Sequence, residues 1–450
     1  MKKIYLISSI AAVAGILFGF DTGVISGAIL FIEKDFQLST FQTECVICSV
    51  LLGAILGAFL SGRLCDSIGR KKILLTAGCI FSAGTILSGL APNVQALITG
   101  RLILGVAIGI SSFAAPLYLA ELSPKKNRGF LVTLNQLGIT FGILLSYIVD
   151  YLLASNEAWR LMLLFGLIPA LTLVFGSMVL PESPRYLAFK GRLKEAKQIL
   201  MYLRSSQDVD QELSEIQTAK TEQYHWQELI KKPRFLKLLS VGVLLAIIQQ
   251  ITGINTLIYY APKVFQMAGF DTSSAIFVTS IVGLTNVIFT IIALPLVDRL
   301  GRRTLLYIGL GGMIISLMCL GLTFQQTQLN ELMRMLTLFS MMLYIACFAI
   351  SLGPVVFVLL SEIFPLRMRG LGMSIAMGAN WLSNMIVALT FLTLIGKLGP
   401  SKTFYGYALV SILSMFFIYF FIPETKGKSL EQLEESLNSG LKLKHLGNNL

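Results

Sequence analysis

The chain has 450 residues, 55% of them hydrophobic and only 13% charged, and its mean hydropathy is +0.76. Soluble domains run at roughly 45–50% apolar and 25% charged residues, so this composition excludes a water-soluble globular protein and requires a bilayer. The formal net charge of +12 would suit a nucleic-acid binder, but the basic residues are placed for another purpose, as their positions below show.

Apolar runs of about 18 or more residues recur along the chain, each long enough at 1.5 Å per residue to cross a hydrocarbon core of about 30 Å. They lack the alternating ten-residue pattern of an outer-membrane barrel, and helices satisfy their backbone polar groups internally. The first run, 7–31, follows "MKK" and could be taken for a signal peptide, yet it continues past any small-residue cleavage site to Phe31 and predicts an uncleaved first helix. Its centre, "GILFGFDTGVISGAIL", carries one acid, Asp21. Runs at 44–62, 73–91, 98–120, 130–153 and 160–180 complete a first set. A polar stretch from about Pro184 to Lys232, with "GRLKEAKQIL" and "QELSEIQTAKTEQ", has the apolar spacing of short amphipathic helices on a membrane surface. A second set follows at 237–261, 274–297, 304–324, 333–360, 371–395 and 403–422. The reading is an all-α membrane protein with twelve spans: a bundle over 1–183, a cytoplasmic linker over 184–232, a second bundle over 233–425 and a tail over 426–450.

Lys2, Lys3, Arg63, Arg70, Lys71, Lys72, Lys125, Lys126, Arg128, Arg299, Arg302, Arg303, Arg367 and Arg369 all fall in alternate loops, while the opposite loops hold few basic residues, such as Lys34, Lys263 and Arg334. The positive-inside rule places both termini and the central segment in the cytoplasm. The charge thus sets topology, and no nucleic-acid partner is expected. The six cysteines lie mostly inside spans, and the C-x-x-C of Cys45 and Cys48 sits in a helix without a second ligand pair, so packing is the better reading. Both histidines, His225 and His445, are in cytoplasmic segments, and there is no P-loop or zincin motif. No metal, no cofactor, no enzymatic activity and no ATP-driven step are expected. The pairs Gly53/Gly57, Gly105/Gly109 and Gly138/Gly142 have the spacing of close helix contacts and are assigned to packing in the first half.

The chain repeats itself. "GRLCDSIGRKK" after span two answers "VDRLGRRTLL" after span eight, "AELSPKKNRG" after span four answers "SEIFPLRMRG" after span ten, and "PESPR" answers "PETKG". Three matched loops in one order imply two six-helix halves related by duplication, and parallel repeats of this kind put a substrate site near the bilayer midplane at the interface of the halves, with alternating access. Together with "QQITGIN" in span seven and Gly100-Arg101 opening span four, these motifs resemble those of the sugar porters of the major facilitator superfamily from end to end.

The resemblance implies a major facilitator fold and a carrier for a monosaccharide. A charged Asp at a helix centre costs about 2.5–3.5 kcal/mol on insertion scales, so Asp21 should face a cavity or a partner, and Arg101 is the nearest candidate cation. Desolvation and a neighbouring cation act in opposite senses on a carboxyl group, so modest movement could load and unload a proton. The alternative is an acid that only packs. In the resemblance these two positions match the proton-coupling pair of bacterial xylose and galactose symporters.

A sugar needs neutral hydrogen-bonding groups for each hydroxyl. Span seven supplies Gln249, Gln250, Asn255, Tyr259 and Tyr260, with Gly253 and Pro262 making local unwinding expected. Gln136, Asn286, Asn380, Trp381 and Asn384 add to the set. Singly, each could be interhelical glue; together they match the family's sugar-binding positions. Phe357 stands where most sugar porters have tryptophan, which keeps an apolar platform and removes an N–H donor. Asp66, Arg70, Glu121, Arg128, Glu182 and Arg185 in the first half and Asp298, Arg302, Glu362, Arg369 and Glu424 in the second are either solvated loop charge or an inner gate, and their repetition at helix ends favours the gate.

The expected function is import of a hexose or pentose with a proton. A uniporter, a proton-coupled polyol or inositol carrier and a non-transporting sugar sensor are the alternatives, the last disfavoured by the short tail "KSLEQLEESLNSGLKLKHLGNNL". A bacterial inner membrane and a monomeric working unit complete the expectation.

Overall fold

The computed structural model describes the backbone of residues 2–123, 128–203, 209–210, 213–214, 233–326, 330–364 and 369–426, and the side chains of these save 2–6, 128–133, 233–235, 298, 369 and 370. Among the described residues twelve helical spans are long and apolar enough to cross a membrane, and there is no strand. The chain divides into two units, Met1–Gln223 and Tyr224–Leu450.

The first unit is built from α1 (Lys2–Phe36), α2 (Thr40–Ile68), α3 (Arg70–Gly89), α4 (Val94–Leu122), α5 (Arg128–Ala154), α6 (Trp159–Leu164) and α7 (Leu167–Val179), followed by α8 (Pro184–Phe189) and α9 (Leu193–Leu203). Its tightest seams are glycine seams. Gly53 and Gly57 of α2 meet Gly105 and Gly109 of α4 so closely that a methyl group on any of them would overlap the facing backbone. A second seam joins α1 and α5: Gly15, Gly19, Gly23 and Gly27 recur every four residues on one face of α1, and Gly138 and Gly142 answer from α5. In lipid, where apolar burial between helices gains little, such backbone approach supplies the van der Waals contact that holds helices together. The paired glycines expected to pack therefore do so, and α1 carries a longer stripe than the sequence reading noticed.

The second unit contains α10 (Pro233–Ile251), α11 (Ile254–Tyr259), α12 (Ala261–Met267), α13 (Thr272–Leu300), α14 (Arg302–Thr323), α15 (Glu331–Ile350), α16 (Leu352–Ile363), α17 (Arg369–Leu398) and α18 (Pro400–Phe421). Span seven is broken, as Gly253 and Pro262 suggested: Gly253 adopts a left-handed φ of 97° between α10 and α11, and Pro262 lies in the first turn of α12. Span ten, read as one helix over 333–360, is also broken, at Ser351 between α15 and α16. Span six breaks at Phe165-Gly166. Gly353 and Pro354, two and three residues beyond Ser351, mark this break in the sequence, and Gln249 holds it from outside by donating to the Leu352 carbonyl.

Two kinds of helix start recur. Ser39, Asn93, Asp271 and Asn330, in loops opposite the basic ones, cap α2, α4, α13 and α15 with their own side chains, satisfying N–H groups that have no partner within the helix. In the basic loops, α3 and α14 start after Gly69 and Gly301, at φ of 97° and 92°, and are capped by carboxylates from far along the chain. α8 and α9 close a small apolar core of their own, with Tyr186, Leu187, Ala196 and Leu200 buried.

Candidate functional site

In the first unit, α1 brings Asp21 to Arg101 of α4. The side chains are 3% and 1% exposed, and Arg101 Nη1 lies 3.5 Å from Asp21 Oδ1. Arg101 Nε donates a 2.9 Å hydrogen bond to the Val46 carbonyl of α2. Asp21 Oδ2 is buried without a hydrogen-bond partner. The guanidinium is thus anchored to two helices, and only one of its anchors is the acid. Gln136 is half-buried on α5.

In the second unit, the carboxamides of the broken span form one network. Asn380 of α17 donates from Nδ2 to Gln249 Oε1 and to the Ala246 carbonyl, both at 2.8 Å, and its Oδ1 accepts from Gln250 Nε2 at 3.0 Å. Asn255 Nδ2 donates to Gln250 Oε1 at 2.6 Å. Gln249 Nε2 donates to the Leu352 carbonyl at 2.8 Å, so span seven is tied to the first turn after the break in span ten. Asn384 Nδ2 reaches the Tyr259 hydroxyl at 3.4 Å while its Oδ1 is buried and unpartnered. Tyr260 donates to the Ala388 carbonyl at 2.9 Å. Asn286 and Trp381 are buried and Phe357 is half-buried; among the described residues no hydrogen bond joins Asn286 to the network.

The charged loop residues assemble in each unit in the same way. Arg70 meets Glu121 at 3.0 Å, and the Ser183 hydroxyl donates to Glu121. Glu182 Oε1 accepts the backbone N–H groups of Arg70 and Lys71 at 2.9 and 3.1 Å, capping α3. Arg302 forms two hydrogen bonds to Glu362, at 2.8 and 3.2 Å, Thr425 donates to Glu362 at 2.6 Å, and Glu424 accepts from the N–H groups of Arg302 and Arg303, both at 3.0 Å. Asp66 joins Arg70 at 3.3 Å from an exposed position, and Arg185 is exposed. The side chains of Arg128, Asp298 and Arg369 lie outside the described residues.

The duplication is therefore atomic as well as textual, and the comparison with known proteins follows it. The family described as "Sugar (and other) transporter" matches residues 7–437. The chain belongs to the sugar porter family of the major facilitator superfamily. It is 41% identical to the galactose-proton symporter of Escherichia coli K12, over 98% of this chain and 96% of that one, and 41% identical to a D-xylose transporter of Levilactobacillus brevis, over 95% and 94%. The xylose transporter XylE of Escherichia coli, in a partially occluded inward-open structure, matches with a TM-score of 0.83 and 33% identity, covering 95% of this chain and 100% of that chain.

Some contacts of these side chains escaped the sequence reading. Tyr344 of α15, fully buried, donates to the Thr252 carbonyl at 2.8 Å, at the break in span seven; a lone tyrosine in "MMLYIACFAI" gives no such hint. Ser183 and Thr425 did leave a signal, a hydroxyl directly after the acid in both "PES" and "PET". The Val46 carbonyl could not have been found, since any residue offers one.

Proposed function

We propose that the chain imports a monosaccharide, a hexose or a pentose, together with a proton by alternating access. The carrying observation is the buried pair of Asp21 and Arg101, in which Arg101 keeps a second anchor on Val46 and Asp21 keeps an open oxygen. A proton arriving at Oδ2 cancels the negative charge and releases the acid from the guanidinium, while Arg101 stays held by the α2 carbonyl. Loss of the proton restores the attraction. Such a pair has two arrangements differing by one proton, which is what coupling requires. The proton-coupled sugar transport printed in the relatives' names supports the same reading.

Sugar hydroxyls are proposed to be taken in the second unit by Gln249, Gln250, Asn255, Tyr259, Tyr260, Asn286 and Asn384, with Trp381 and Phe357 offering apolar surface to the ring. Asn380, committed at three positions to protein partners, is proposed to hold Gln249 and Gln250 in place. The clusters around Glu121 and Glu362 are proposed as the inner gate. Cytoplasmic termini, a bacterial inner membrane and a monomeric unit belong to this proposal.

The test is uptake by proteoliposomes of labelled hexoses, pentoses and inositol, with external pH recorded as sugar is added. Sugar-dependent alkalinisation that vanishes in Asp21→Asn, with sugar exchange preserved, is the expected result. Uptake without proton movement in either protein would mean a uniporter whose Asp21 is structural.

A further inference from the structure

A second acid is buried in the first unit. Asp150, on α5, is 1% exposed, and its partner is the Gly27 N–H of α1, at 3.2 Å from Oδ2. Its other oxygen, Oδ1, is buried without a hydrogen-bond partner. The contact depends on glycine at 27, since a methyl group there would sit about 2.5 Å from Oδ2.

The charged groups described on the helices packed against α5 are Asp21, Glu33, Lys34 and Asp35 on α1, Arg101 and Glu121 on α4, and Arg160 on α6, with Glu157 in the turn before α6. Arg101 is engaged by Asp21, Lys34 by Glu157 and Arg160 by Asp35. Among the described residues no cation lies against Asp150, so a proton is the positive charge available to balance it. An acid kept in lipid without a cation is unusual for a packing residue, because an amide would accept the same N–H bond at lower cost.

Gly27 is six residues beyond Asp21, about 9 Å along the axis toward the membrane side opposite the basic loops. Ser26, the residue before Gly27, has a buried hydroxyl with no partner. We infer that Asp150 is a second proton-exchanging carboxyl group of the first unit, serving the part of the proton's route between that membrane side and Asp21. This rests on the proton-coupled reading above.

The test compares Asp150→Asn and Asp150→Glu with the unaltered full chain. Asparagine keeps an acceptor for the Gly27 N–H and loses the proton; glutamate keeps the proton and strains the seam. Infrared difference spectra of the purified, sugar-free protein between acid and alkaline medium should contain a protonated-carboxyl band lost in Asp150→Asn and separate from the band lost in Asp21→Asn. In proteoliposomes, uphill uptake of whichever of D-galactose, D-xylose and L-arabinose the unaltered protein carries should fall about tenfold or more in Asp150→Asn, with a displaced pH profile and unchanged sugar exchange, while Asp150→Glu retains the pH profile. The reverse ordering, Asn normal and Glu impaired with no infrared band assignable to Asp150, would show a structural hydrogen bond and overturn the inference. Should the unaltered protein move no protons with sugar, the symport reading fails by itself, and the infrared band alone decides whether Asp150 exchanges a proton.

Discussion

Arg101 and Asp21 stand 3.5 Å apart, side chain to side chain, in a fully buried site where Arg101 makes its shorter bond, 2.9 Å, to the Val46 carbonyl. The arginine is placed by the backbone of α2 and presented to the acid at a distance where a hydrogen bond is weak. Arg101→Lys should therefore cost more than a charge-conserving change normally does, because one ammonium group cannot serve both anchors of the planar fork. Uphill uptake is expected to drop by about 10-fold or more, equivalent to about 1.4 kcal/mol, with sugar exchange less affected. Equal losses in both assays would place Arg101 in folding alone.

Asn380 spends its amide on Gln249, Gln250 and Ala246. Removing it leaves buried acceptors and donors unpaired at about 1–3 kcal/mol each. Asn380→Ala should raise the half-saturating sugar concentration by about 10-fold or more by loosening Gln249 and Gln250, and Asn384→Ala should raise it comparably, because its open Oδ1 is proposed to meet the sugar while its protein contact, to Tyr259 at 3.4 Å, is weak. Isothermal titration of both variants separates the two roles.

The Glu362 side chain is 18% exposed and receives two bonds from Arg302 and one from Thr425. Breaking a buried pair by removing one partner is costly, about 3–5 kcal/mol in fully buried cases, and less here because water reaches the pair. Glu362→Ala should shift the carrier toward opening on the cytoplasmic side, read as faster labelling of cysteines introduced into that path. An unchanged labelling rate would remove the gate.

The α1 and α5 glycine seam makes a stability prediction. Gly19→Ala puts a methyl group into the Ile139 carbonyl, and overpacking of this kind costs about 1–3 kcal/mol. Gly62, on α2, has open space around it, so Gly62→Ala should stabilise by about 0.5–1 kcal/mol. Melting temperatures in detergent should move in opposite directions.

The spans, their number, the duplication and the loop charges were all readable from the sequence, because membrane insertion is decided locally, by runs of apolar side chains and by lysine and arginine in loops. Asp21, Arg101 and the amides of span seven could be singled out for the same reason: a polar group is conspicuous in an apolar run. Only tertiary structure decided what each one touches. The anchoring of Arg101 on Val46, the hold of Tyr344 on Thr252 and the meeting of Asp150 with Gly27 pair residues 55 to 123 positions apart. In each, one partner is a backbone carbonyl or N–H group, which its residue type does not announce, so the sequence marks at most one side of the contact.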